Sequence, residues 1–229
     1  MKSGICARRA LGLAIGICSL VLPVWAQAEA IVNPAPTAAE ILAQTKDASD
    51  VFAATDTGDL RHLQSGMVCP ISFPNLHMRT LTVFAADGSD VGCDYGRNGR
   101  NNVTVSKLSL YATKASPGDT VDAAFARYQL EVHQGSPNAL VKGGVVGFTG
   151  QLADDMKSVR SEEYDIVIDG RHFQSDLIVA IKDGWIIEVR GTSPSEGTAE
   201  EAAAAAGDQA APVLTLLQAM NTIGKGLAQ

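Results

Sequence analysis

Between Arg79 and Arg190 the hydrophobic and polar positions form two groups of short strand-like runs, separated by a segment of helical period and a Gly-rich stretch. Arg79 to Ala86 is rich in Thr, Val and Phe and ends at Asp87-Gly88, a dipeptide that favours a hairpin turn. Val91 to Tyr95 follows as a second strand. After the polar stretch Gly96 to Asn102, Val103 to Ala112 alternates again, with a slip near Lys107. These three strands predict a meander. A second and clearer one runs Val159 to Ile168, Phe173 to Ile181 and Trp185 to Arg190, joined by Asp169-Gly170 and Asp183-Gly184. Leu177 to Ile181 is apolar on both faces, which predicts a central strand covered on both sides. In the last strand Trp185, Ile187 and Val189 share one face, and Glu188 and Arg190 lie with Ile186 on the other.

Between the meanders the period changes to that of a helix. Val121, Ala124, Phe125, Tyr128 and Val132 fall on one face of a helix that opens at Asp119 or Thr120, with Gly135 as its stop. Ser136 to Gly150 carries four glycines and reads either as a strand with close backbone approaches or as a loop. Two further helices have capping-box starts, Thr37-Ala38-Ala39-Glu40 and Thr198-Ala199-Glu200-Glu201. The first should reach about Lys46. Beyond it the chain either stays helical or forms a hairpin about Thr57-Gly58, with Val51 to Thr55 against Leu60 to Gln64. The second is expected to break at Gly207 and Pro212, leaving Val213, Leu214, Leu216, Leu217 and Met220 to dock on a sheet. Strands joined by two-residue turns must be antiparallel, so the expected class is α+β: an antiparallel sheet of two three-stranded meanders flanked by helices, in a single domain over residues 37–229.

The N-terminus changes how the cysteines are read. Lys2, Arg8 and Arg9 precede an apolar run from Leu11 to Val24, and Ala26-Gln27-Ala28 offers small residues for cleavage. This is the layout of a secretory signal peptide over residues 1–28, with 29–36 as a flexible lead. The expected location is periplasmic or secreted, with no stable membrane insertion after cleavage. Cleavage removes Cys6 and Cys18, so Cys69 and Cys93 remain as an even pair in an oxidising compartment and are expected to form a disulfide. Closing that loop would contribute roughly 3 kcal/mol. The alternatives are a zinc site with His62 or His77, for which the spacing is poor, and a reactive thiol.

The net charge of −7 becomes more negative once the three basic residues of the leader are gone. That argues against nucleic acid and anionic membrane as partners, both of which require a basic surface. The chain has no nucleophile elbow, no zinc-protease motif, no P-loop and no dinucleotide fingerprint, so no catalytic residue, metal or cofactor is assigned. The four histidines are scattered. The acidic run of Asp154, Asp155, Glu162, Glu163 and Asp165 lacks the alternation of a calcium loop. The surface most apt for binding is the stretch Met67 to His77 with the polar loop Gly96 to Asn102, with Pro70, Phe73, His77, Arg97 and Arg100 as candidate contacts.

From about Thr120 to Met220 the order of elements resembles the Mog1/PsbP-like fold: a helix, a Gly-containing segment, a meander ending in Asp183-Gly184-Trp185-Ile186-Ile187-Glu188-Val189-Arg190, and a docking C-terminal helix. The resemblance implies an antiparallel sheet between helices and no shared catalytic residues, and fold does not imply function. The functional expectation is an exported, soluble, disulfide-stabilised module that binds a protein or small molecule, or is envelope-associated, without catalysis. The alternative is a hydrolase-like periplasmic enzyme with a site near the Cys69–Cys93 loop, using His62 or His77.

Overall fold

A computed structural model describes residues 36–73, 75–98, 104–144, 159–195 and 199–223, with side chains from 105 in the third of these segments and from 208 in the last helix. Each element forms where a local signal calls for it. Helix α1 (Ala38–Gln44) starts at Thr37, which exchanges hydrogen bonds with Glu40 in the expected capping box. It ends two residues before Lys46, and the short α2 (Ala48–Val51) follows. The alternative of a hairpin is the one adopted next: β1 (Phe52–Ala54) pairs with β2 (Leu60–His62) around Gly58, whose φ is +84°, and β3 (Val68–Cys69) completes a three-stranded sheet.

The first meander is β4 (His77–Val83), β5 (Asp90–Asn98) and β6 (Thr104–Lys114). Its first turn is longer than the two-residue loop expected at Asp87-Gly88. The Gly88 N–H donates to the Ala85 carbonyl and Gly88 takes φ +76°, a conformation that suits glycine. After α3 (Val121–Gly135) and a short β7 (Leu140–Gly143) comes the second meander, β8 (Val159–Ile168), β9 (Arg171–Lys182) and β10 (Trp185–Pro194). Asp169 and Gly170, and again Asp183 and Gly184, all have positive φ, as type I′ hairpin turns require.

The expected class holds, and to the expected six strands the structure adds β7 at one edge and a separate three-stranded sheet. The two meanders join edge to edge through antiparallel pairing of β6 with β10, giving one seven-stranded sheet in the order β4-β5-β6-β10-β9-β8-β7, beside the separate three-stranded one. Strand β9 lies between β10 and β8, and Leu177, Ile178, Val179 and Ala180 are fully buried. The expected break in the last helix does not occur: α4 (Ala199–Thr222) continues through Gly207 and Pro212. Tertiary packing outweighs local propensity here, because the Pro212 ring seats on Gly191 of β10, where a Cβ would collide with it.

The two faces of the large sheet are covered differently. One face carries Leu81, Cys93, Leu110, Ile178 and Ile187 into a core shared with α4, α1, α2 and the small sheet. The Cys69–Cys93 disulfide lies in this core, with a Cα–Cα separation of 6.3 Å, and ties β3 to β5. The other face carries Tyr164, Phe173, Leu177, Val179 and Ile186 into a smaller core under α3. Helix α3 packs on β8 and β9. It leaves the same face of β5 and β6 polar.

Candidate functional site

Cross-strand register builds a site on that polar face. One row across the sheet is Gly92, Tyr111 and Glu188, and the next is Asp94, Ser109 and Arg190. A third aligns Asp90 with Thr113 and Ile186. Gly92 has a specific purpose: a Cβ there would lie 2.5 Å from Tyr111 Cδ1, so only glycine lets the Tyr111 ring lie across the strand. The polar side chains are hydrogen-bonded in pairs. Ser109 Oγ donates to Asp94 Oδ1 (2.5 Å), Tyr111 OH donates to the same oxygen (3.2 Å), and Thr113 Oγ1 donates to Asp90 Oδ1 (2.9 Å).

Helix α3 supplies the opposite wall. Arg190 donates to Glu188 on its own strand and to Glu131 Oε2 of α3 at 2.5 Å. Its guanidinium carbon lies 5.7 Å from the Tyr128 ring centroid, and that of Arg127 lies at 4.9 Å. Phe84 stands at the mouth, 56% exposed, with its ring 6.1 Å from that of Tyr111. Together Phe84, Asp90, Tyr111, Thr113, Tyr128, Glu131, Glu188 and Arg190 line a groove of about 280 Å³.

Burial governs the charge states. Glu188 is 3% exposed, and loss of solvent pushes its carboxyl up to about 7 despite the opposing pull of Arg190. Burial likewise raises the Tyr111 phenol to about 12 and raises Tyr128, so both remain neutral donors at physiological pH. Among the described residues no group of three or more His, Cys, Asp or Glu side chains is placed to hold a metal ion.

The fold is similar to that of Mog1. A crystal structure of the Ran-binding protein Mog1p of Saccharomyces cerevisiae matches with a TM-score of 0.40 and 10% identity, covering 76% of this chain and 94% of that one. A mutant of protein Mog1 matches with a TM-score of 0.39 and 10% identity, covering 75% and 93%. No protein-family model matches the chain, and no curated protein does.

The residues singled out from sequence lie away from the groove and are spread over several settings. Pro70 is buried and Phe73 is half-buried, packed edge-on against Tyr95 with 5.0 Å between centroids. His77 is exposed on the edge strand β4. Arg97 is turned inward to α4: its Nε donates to Asp208 Oδ2 at 2.9 Å, Ser106 Oγ donates to the same oxygen at 2.6 Å, and Asp208 is buried. Arg100 lies outside the described residues. His62 is fully buried. Its Nδ1 accepts the Ser65 N–H (3.3 Å) and bonds Ser65 Oγ (2.7 Å), while its ring packs 5.2 Å from both Phe52 and Trp185. Burial holds its imidazole down at about 4, against a weaker opposing effect of the Gly88 backbone.

The groove residues gave one readable signal. Glu188 and Arg190 share a face with the apolar Ile186 in a strand otherwise destined for the interior. What the sequence does not show is that β6 would bring Tyr111 alongside them.

Proposed function

We propose that the protein is an exported, non-enzymatic binding module and that the groove between β5, β6, β10 and α3 is its ligand site. The observation that carries this reading is a groove of about 280 Å³ combining aromatic rings with a carboxylate buried at its floor. Three aromatic rings, Phe84, Tyr111 and Tyr128, give a small ligand contact area there, and the charged groups Asp90, Glu131, Glu188 and Arg190 fix its orientation. The groove is preferred to the Met67 to His77 surface because Arg97 is engaged by Asp208 and Phe73 by Tyr95. The hydrolase alternative has less support, since His62 is sealed among aromatic rings and its partner Ser65 is buried with it.

Export and envelope association rest on the leader-like N-terminus, and the acidic charge supports a protein or small-molecule partner over nucleic acid. Fragment screening by NMR on the labelled mature chain tests the site. Hits should shift the amides of Gly92, Tyr111 and Glu188; hits confined to other surfaces, or none, would refute it. Intact mass of the protein recovered from periplasm tests export, with loss of residues 1–28 expected and an intact leader counting against it.

A further inference from the structure

We infer that the groove's ligand is a small organic cation, an amine or guanidinium, seated at the Phe84 and Tyr111 rings; this rests on the groove being the binding site. Three observations converge on that chemistry. First, the lining places the carboxylates of Asp90, Glu131 and Glu188 against the single guanidinium of Arg190. Arg190 is already engaged by Glu188 and Glu131, and even with Arg127 over the Tyr128 ring the three carboxylates outnumber the two guanidinium groups. Second, the same groove shows what its rings accept. Tyr128 carries the guanidinium groups of Arg127 and Arg190 within 4.9 and 5.7 Å of its centroid, the range in which a ring's negative face attracts a cation. Third, Phe84 and Tyr111 offer a second pair of rings, inclined at 51° and 6.1 Å apart. Among the described residues the cation–ring contacts fall on Tyr128 and Phe173 and not on this pair, and Asp90 lines the groove with it. Phe84 is 56% exposed, a large apolar side chain that a bound ligand would cover.

An anion would add negative charge beside three carboxylates, and a purely apolar ligand would desolvate Asp90, which accepts from the neutral Thr113 hydroxyl. An organic cation satisfies both the rings and the acidic groups. The same chemistry is available from a free amine or from a lysine or arginine side chain on a peptide.

The test uses the labelled mature chain and three probes of similar shape: benzylamine, benzyl alcohol and benzoate. Benzylamine is expected to shift Gly92, Tyr111 and Glu188 and to bind about tenfold more tightly than the alcohol, the margin a partly desolvated cation–ring contact provides. Replacing Asp90→Asn and Glu131→Gln together should erase that margin while leaving the alcohol unchanged. Both substitutions keep the shape of the side chain; Glu131→Gln removes one of the two carboxylates that hold Arg190 and leaves Glu188 as the other. Phe84→Ala, at an exposed position, should weaken benzylamine without altering thermal stability. If the alcohol or benzoate binds the groove as well as benzylamine does, the cation assignment is overturned and the binding site stands. If no probe perturbs the groove, or benzylamine binds elsewhere, both fall. A glycine-flanked lysine peptide binding more tightly than benzylamine would assign the cation to a protein partner, and weaker binding would assign it to a free amine.

Discussion

Replacing Glu188→Gln tests the electrostatics of the groove floor directly. The carboxyl titrates at about 7 in the folded protein, against an ordinary value of 4.5, with burial as the main cause. Since the folded value is raised, its favourable contribution is complete below 4.5 and is lost as pH climbs through about 7. Working from about 1.4 kcal/mol per tenfold change in proton affinity, the ionised form is disfavoured in the folded state by about 3 kcal/mol. The amide variant has no such dependence. Its stability relative to the native chain should therefore rise by about 3 kcal/mol between about pH 4 and pH 8. The charged groups facing Glu188 are Arg190, Glu131 and Arg127, and the two arginines favour its ionised form while Glu131 opposes it. The difference between the two proteins is the informative quantity, because Asp176, buried and pushed up to about 6, adds a slope of the same sign to both. Urea is the suitable denaturant, since an ionic one would screen the Arg190 contact. Parallel stability curves, or a native advantage growing with pH, would mean that pairing with Arg190 outweighs burial, and the account of the floor would be refuted.

Gly92→Ala should cost about 1–3 kcal/mol by pressing a methyl into Tyr111, and adding Tyr111→Ala in that background should recover part of the lost melting temperature; no recovery would refute the close approach. Asp208→Ala leaves Arg97 without its buried partner and should cost about 3–5 kcal/mol, whereas Arg97→Met with Asp208→Leu should be far less harmful in the same denaturation assay. His62 is held at about 4 against an ordinary 6.5, so the stability it supports is present above 6.5 and is lost as pH falls toward 4. His62→Leu should remove about 3 kcal/mol of acid sensitivity in that window, whatever its cost at neutral pH, and an unchanged acid limb would contradict the buried neutral imidazole.

Much of the secondary structure is legible in the chain. The Asp-Gly pairs at 169–170 and 183–184 mark the tight hairpins because few residue pairs tolerate two successive positive φ angles. The β8 boundaries match the expectation, while β5, β6, β9 and β10 run past it, because ladder pairing extends a strand beyond its hydrophobic pattern. Proline chemistry misleads at Pro212, because the penalty it imposes on an isolated helix is offset by the seat that Gly191 provides. The pairing of Cys69 with Cys93 is the one expected on the reading that Cys6 and Cys18 belong to a cleaved signal peptide.

The candidate site is a different matter. Tyr111 and Glu188 are far apart in the chain and become direct cross-strand partners when the meanders join. Arg97 appears in the sequence as a loop-tip contact residue, yet it meets an aspartate 111 positions away. The sequence by itself determined the α+β class, the two meanders, the tight turns of the second one, the capping-box start of α1 and the cysteine pair, since each is encoded within a few residues or by counting. Tertiary structure alone decided that the meanders share one sheet, that α3 covers only half of one face, and that a buried carboxylate lies beneath aromatic rings. The physical reason is that strand edges carry unpaired backbone groups of identical chemistry, so the choice of partner is made by packing across the whole molecule.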